Sequence, residues 1–338
     1  MIGRSVGCWQ QEDLQLASGG SLPLATLAYV TLGRLNSTRS NVILMTHGYS
    51  SSHHYIEPDS KAAEGSWSAL VGPNRAFDTD RFFIVSCNAL GSCYGSTGPA
   101  SIDPDTGNAW GERFPEVRLE DTVRLQRALL ASWGVDRLYA VAGPSMGGFQ
   151  ALQWAVQYPD IVERIVVAVS GLRYDDDRAG REALAARVRA LPAASDGRLE
   201  AGPKMSFLVE WRVETLRRYG VSEYLRDRGL AGEQCERVLR EMARGWAADF
   251  EPWSLVALRD ATAGWDATER LSAIRARVLV ALSNTDLFFP AASLPAVLQV
   301  LKQHGVDAVG CEIRSRYGHC ASGLDWQLWE APLRHFIG

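Results

Sequence analysis

Apolar residues fall along this chain in distinct rhythms. Residues 8–33 hold two alternating stretches parted by Ser18-Gly19-Gly20-Ser21, which predicts an antiparallel hairpin at a sheet edge. Nearly continuous apolar runs follow at residues 41–45, 81–87, 139–142, 164–169 and 277–282, as expected of strands buried on both faces, and a last strand is expected at 310–314. Helical spacing takes over at 119–133, 151–155 and 296–303, and again in a terminal helix over 326–336. Such alternation predicts an α/β fold, a mostly parallel sheet covered by helices on both faces. From about residue 172 to 268 the strand signal vanishes and Arg and Glu rise, while apolar positions recur at helical spacing, as over 208–216 and 238–246. Strands resume at Val278, so this stretch reads as a helical cap at 173–268 inserted into a core of 1–172 and 269–338.

The strand at 139–142 runs into Gly143-Pro144-Ser145-Met146-Gly147, a match to G-x-S-x-G, and a helical run begins at once after it. Strand, sharp turn and helix are the setting in which that pattern carries chemistry, because flanking glycines let the chain turn tightly enough to hold a serine hydroxyl clear of the backbone. The following helix aims its positive N-terminal end at the same spot. Ser145 is the candidate nucleophile; the plainer alternative is a glycine-rich turn with an idle serine.

A serine nucleophile needs a base for its proton and a carboxylate to orient that base, and in a sheet of this kind they follow in the order acid, then histidine. Only His304, His319 and His335 lie far enough downstream. His304 sits at the end of a helical run before Gly305, and His335 within the terminal helix, both ordinary structural places. His319 follows the last expected strand on a loop that can deliver a side chain over the strand ends, so it is the candidate base. Asp286 directly follows the strand at 277–282 and is the candidate acid, although a turn or helix cap is the common use of such an aspartate. Asp307 and Asp325 are weaker, since neither leaves that strand directly. Two backbone N–H groups would hold the oxyanion, one from Met146 and one from the His47-Gly48-Tyr49 turn, that of Tyr49 being favoured.

Composition narrows the setting without changing it. With 338 residues, 46% of them hydrophobic, the chain can bury a large core. A net charge of −4 without a basic run argues against nucleic acid as a partner. The first residues lack an apolar signal core and no window approaches a membrane span, so a cytoplasmic protein without membrane contact is expected. The six cysteines are scattered without C-x-x-C pairs, which suits free thiols better than disulfides or zinc, and no metal cluster is expected. The glycine-rich loop at 88–99 lacks the lysine and the strand-to-helix setting of a phosphate loop.

The elbow at 143–155, the loop at 88–99 with Ile102-Asp103-Pro104-Asp105-Thr106-Gly107, and Phe114-Pro115-Glu116-Val117 resemble the homoserine O-acetyltransferase family of α/β-hydrolase-fold enzymes. The likeness spans nearly the whole chain and is strongest from about residue 72 to 169, with Thr285-Asp286 and Gly318-His319 falling where that family keeps its acid and base. It implies a ping-pong reaction without a permanently bound cofactor: Ser145 is acylated by acetyl-CoA or another acyl-CoA and passes the acyl group to an alcohol under the cap. The expected partners are this small-molecule acyl donor and alcohol acceptor, with a homodimer as the expected assembly. Two departures touch the acceptor. The family contacts homoserine with a cap arginine before a methionine and an aspartate after the catalytic histidine; the matching positions here are Lys204, before Met205, and Cys320. An ammonium group would thus lose its carboxylate partner, which points to an acceptor other than homoserine. An esterase or thioesterase on the same three residues is the alternative.

Overall fold

The computed structural model describes residues 3–61 and 65–338. Strands β1 (Ser5–Gln15) and β2 (Ser21–Leu32) form the expected hairpin, with Ser5 opposite Thr31 and Gln15 opposite Ser21. Next come β3 (Val42–Thr46), a short parallel ribbon of β4 (Val71–Gly72) and β5 (Phe77–Asp78), then β6 (Phe83–Cys87), α1 (Leu119–Ser132), β7 (Ala140–Pro144), α2 (Met146–Gln157) and β8 (Arg164–Ala168). Five helices follow: α3 (Arg178–Arg189), α4 (Ala201–Arg218), α5 (Val221–Asp227), α6 (Gly232–Ala247) and α7 (Pro252–Thr262). The chain closes with β9 (Arg277–Ser283), α8 (Leu294–Gln303), β10 (Ala308–Ile313), α9 (Ala321–Leu324) and α10 (Glu330–Ile337).

The main sheet has the order β1-β2-β6-β3-β7-β8-β9-β10. Only β1, β2 and the β2–β6 junction are antiparallel; from β6 to β10 every pairing is parallel. The continuous apolar runs serve two cores at once because successive side chains point to opposite faces. Val42 and Leu44 pack with α1 and α2, whereas Ile43 and Met45 pack on the other face with Trp329, Leu333 and Phe336. Helices α3–α7 bury a third cluster of their own, which includes Leu208, Leu239, Trp246, Phe250 and Leu255.

The C-terminal segment departs from the expected single helix over 326–336. Residues Trp326–Leu328 make a 3₁₀ turn, and α10 starts only after Trp329, whose φ of −132° breaks the helical path. The break lets the fully buried Trp329 turn inward, where its indole N–H donates to the carbonyl of Ser322. Among the described residues no helix is long and apolar enough to cross a membrane.

Candidate active site

The parallel strands end together at one edge of the sheet, the edge at which an open α/β sheet offers a crevice for a ligand. At the end of β7 the chain reverses through Ser145, whose φ of 54° and ψ of −122° no ordinary L-residue adopts without support. The support is visible. Ser145 N–H donates to the carbonyl of Ala168, and its own carbonyl accepts from Gly148 N–H at 2.8 Å and from the hydroxyl of Ser170 at 2.8 Å. The flanking glycines are required by Thr46 at the end of β3: a Cβ on Gly143 would lie 2.3 Å from the Thr46 carbonyl oxygen, and one on Gly147 only 2.2 Å from it. The Thr46 hydroxyl donates to the carbonyl of Gly147 at 2.8 Å and closes the elbow onto β3.

Asp286 and His319 arrive from the ends of β9 and β10. The imidazole Nδ1 lies 2.9 Å from Asp286 Oδ2, and the second carboxylate oxygen accepts from Phe288 N–H at 2.9 Å, so the acid is held on both sides. Asp286 is 3% and His319 8% exposed, a depth at which a carboxylate persists only when paired in this way. The two loops are stapled together by the Thr285 hydroxyl, which donates to Ser315 O at 2.7 Å and accepts from Gly318 N–H, and by Asn284, which accepts from Ser315 N–H. Rings of Tyr219, Phe288 and Phe289 surround the imidazole at 4.9, 5.1 and 6.2 Å. Tyr219 ends α4, so the helical layer itself forms one wall of the site.

The turn at residues 47–52 faces the elbow from β3. His47 is fully buried; its Nδ1–H donates to Gly48 O at 2.9 Å and its Nε2 accepts from Ala89 N–H at 2.9 Å. Those two bonds demand the neutral ring, and burial lowers its pKa from 6.5 to about 4. From above, the Tyr49 hydroxyl donates to Leu255 O, the Trp246 indole to Ser50 O, and Arg212 to the Ser50 hydroxyl at 2.9 Å. The backbone N–H groups of Tyr49 and Met146 donate to no backbone carbonyl among the described residues, which leaves both available where the elbow and the turn meet.

Two cavities meet at Ser145, His319, Tyr49 and Tyr219. The smaller, about 60 Å³, is lined further by Arg212, Cys320, Val169 and Ser322. The larger, about 480 Å³, runs beneath α3 and α4 past Phe149, Trp211 and Phe288. Among the described residues no group of three or more His, Cys, Asp or Glu side chains could hold a metal ion.

Residues 41–304 match the alpha/beta hydrolase fold family. The homoserine O-acetyltransferase of Geobacter sulfurreducens is 34% identical over 97% of this chain and 95% of its own length. The chain belongs to the homoserine O-acetyltransferase family. A second family member, from Methanohalophilus mahii, is 32% identical over 100% of this chain and 74% of its own. Among solved structures, the homoserine O-acetyltransferase of Bacillus anthracis matches with a TM-score of 0.84 at 26% identity, covering 100% of this chain and 98% of that one. Esterase E22 matches with a TM-score of 0.86, also at 26% identity, covering 99% of this chain and all of that one. Proteins named for acyl transfer and for ester hydrolysis thus share this fold.

Within that family frame, the residues singled out in the sequence divide. Ser145, Asp286, His319, Met146, Tyr49 and Cys320 come together at the strand ends. Lys204 does not. It lines neither cavity, and its ammonium lies 3.5 Å from Glu251. The cation that does line the small cavity is Arg212, two turns further along α4, 2% exposed and stacked 4.7 Å over Trp246. Its signature was in the sequence: Leu208, Val209, Val213 and Leu216 make an apolar stripe, and Arg212 falls inside it. Val169 was not foreseeable, since its φ of 43°, rare for a β-branched residue, arises from the way β8 ends. His304 and Asp307 lie elsewhere, the first turned onto Val300 O and the second paired with Arg277, while Asp325 accepts from the Ser315 hydroxyl.

Proposed function

We propose that this chain transfers an acyl group from an acyl-CoA, acetyl-CoA foremost, to an alcohol through an ester on Ser145, with residues 173–268 acting as the cap. The reading is carried by the buried Asp286–His319 pair opening onto the same cavities as the strained Ser145. With Nδ1 engaged by Asp286, His319 has Nε2 left for the reaction. Nε2 takes the Ser145 hydroxyl proton as Oγ bonds to the thioester carbonyl carbon, and the resulting oxyanion accepts from Met146 and Tyr49 N–H. Collapse breaks the C–S bond, and the imidazolium returns the proton to the departing thiolate. An alcohol then gives its proton to Nε2, attacks the acyl-Ser145 ester and leaves with the acyl group, while Oγ recovers the proton.

The small cavity is the natural seat of the acceptor. Arg212 places a guanidinium on its wall, where the family resemblance expects the positive charge of Lys204. Cys320 presents a thiol where the family resemblance expects an ammonium partner, so we read the acceptor as a carboxylate-bearing alcohol other than homoserine. Ester hydrolysis on the same residues is the second reading, favoured by the likeness to esterase E22. Incubation with acetyl-CoA and a panel of hydroxy acids and amino alcohols separates the two: O-acetyl product supports transfer, and free acetate at the same rate whatever the alcohol rejects it.

A further inference from the structure

The larger cavity ends in a rim whose charge runs against that of the molecule. The chain as a whole carries a net charge of −4, yet Arg187, Arg218 and Arg259 all line this cavity, against Asp177 and Glu214. Arg259 is committed to Asp177, its guanidinium 2.6 Å from the carboxylate. Glu214 lies one turn before Arg218 on α4 and no ion pair joins the two. Arg187 and Arg218 are exposed, and neither pairs with a carboxylate among the described residues; each lies over an aromatic ring, Arg187 5.1 Å from Phe207 and Arg218 5.2 Å from Phe288. Stacking fixes the plane of a guanidinium while leaving its in-plane N–H donors free to meet an anion, and it removes part of the entropy that ordering a long side chain costs. Phe288 also touches the imidazole of His319, so this rim is built on the same residues that frame the reacting centre.

We infer that Arg187 and Arg218 form a phosphate-binding rim for the acyl donor, holding the phosphates of its nucleotide tail while the thin arm that carries the acyl group threads the cavity to Ser145. The inference rests on the acyl-CoA reading above and gives it residues. A guanidinium pair matches phosphate oxygens in a two-pronged manner. A simple ester has no group for such a rim to hold, so the pair would give an enzyme that only hydrolyses esters nothing to bind.

The test compares acetyl-CoA, 3′-dephospho-acetyl-CoA and S-acetylpantetheine, which carry the same thioester and successively fewer phosphates, on the wild type and on Arg187→Ala/Arg218→Ala. The wild type should prefer acetyl-CoA to S-acetylpantetheine in kcat/KM by on the order of 10- to 100-fold, through KM and in a salt-dependent manner. The double variant should lose most of that preference, and Arg187→Lys/Arg218→Lys should recover part of it. The dephospho compound shows which phosphate the pair holds. Equal use of acetyl-CoA and S-acetylpantetheine by the wild type, or an unchanged preference in the double variant, overturns the rim while leaving acyl transfer intact. Failure of the wild type to use either thioester overturns the acyl-CoA reading itself.

Discussion

Acid should loosen the turn that presents Tyr49, and His47 gives the size of the effect. Its ring is buried between Gly48 O and Ala89 N–H in a neutral form that a second proton would destroy, because Nε2 would then turn a donor toward a donor. In the unfolded chain the ring protonates near 6.5, whereas in the fold it resists until about 4. The folded value is depressed, so the contribution is fully present above pH 6.5 and is lost as the pH falls to 4, where it levels off. The difference corresponds to about 3 kcal/mol. His47→Gln keeps an acceptor for Ala89 and cannot titrate, so it should be less stable than the wild type at pH 7.5 by about 1–2 kcal/mol. Urea midpoints measured from pH 7.5 to 4 decide the matter. The wild type should lose about 2–3 kcal/mol more than His47→Gln across that range, while carboxylate titration cancels between the two. Parallel pH profiles for the two proteins would refute the assignment of a buried, neutral His47.

Other outcomes follow from the same geometry. Asp286→Asn and His319→Ala should each slow the chemical step by on the order of 10⁴-fold, whereas His304→Ala, whose ring only closes α8, should leave kcat/KM within about twofold; an essential His304 beside a dispensable His319 would reverse the assignment. Homoserine should be a poor acceptor for the wild type and a better one for Cys320→Asp in steady-state assays at saturating acetyl-CoA, and efficient homoserine acetylation by the wild type would restore the plain family activity. Arg212→Lys should raise KM for a carboxylate-bearing acceptor about tenfold more than Lys204→Ala does, and the opposite ranking would return the acceptor contact to Lys204.

Much of this was legible in the sequence because the signals were local. The apolar runs at 41–45 and 164–169 could only be strands covered on both faces, and the glycines around Ser145 stand where Thr46 admits no Cβ. Asp286 and His319 could be placed because each follows a strand that the pattern already fixed. What escaped depends on how distant segments meet. The family resemblance points to Lys204 near the acceptor, whereas Lys204 lies 3.5 Å from Glu251 and Arg212 is the α4 cation that lines the small cavity. The burial of Arg212 in an apolar stripe was readable, while its target was not until Ser50 and Trp246 were seen to frame it. The terminal helix is shorter than its apolar spacing predicts because nothing in residues 326–336 announces that Trp329 must leave the helical path to fill the core.

Acylation of Ser145 tests the central claim most directly. The protein is mixed with radiolabelled acetyl-CoA without an acceptor, quenched in acid, digested and mapped by mass spectrometry. One acetyl group should appear on the peptide carrying Ser145, should vanish on addition of a productive alcohol, and should be absent from Ser145→Ala. A label on Cys320 or another cysteine, together with full activity of Ser145→Ala, would contradict the account.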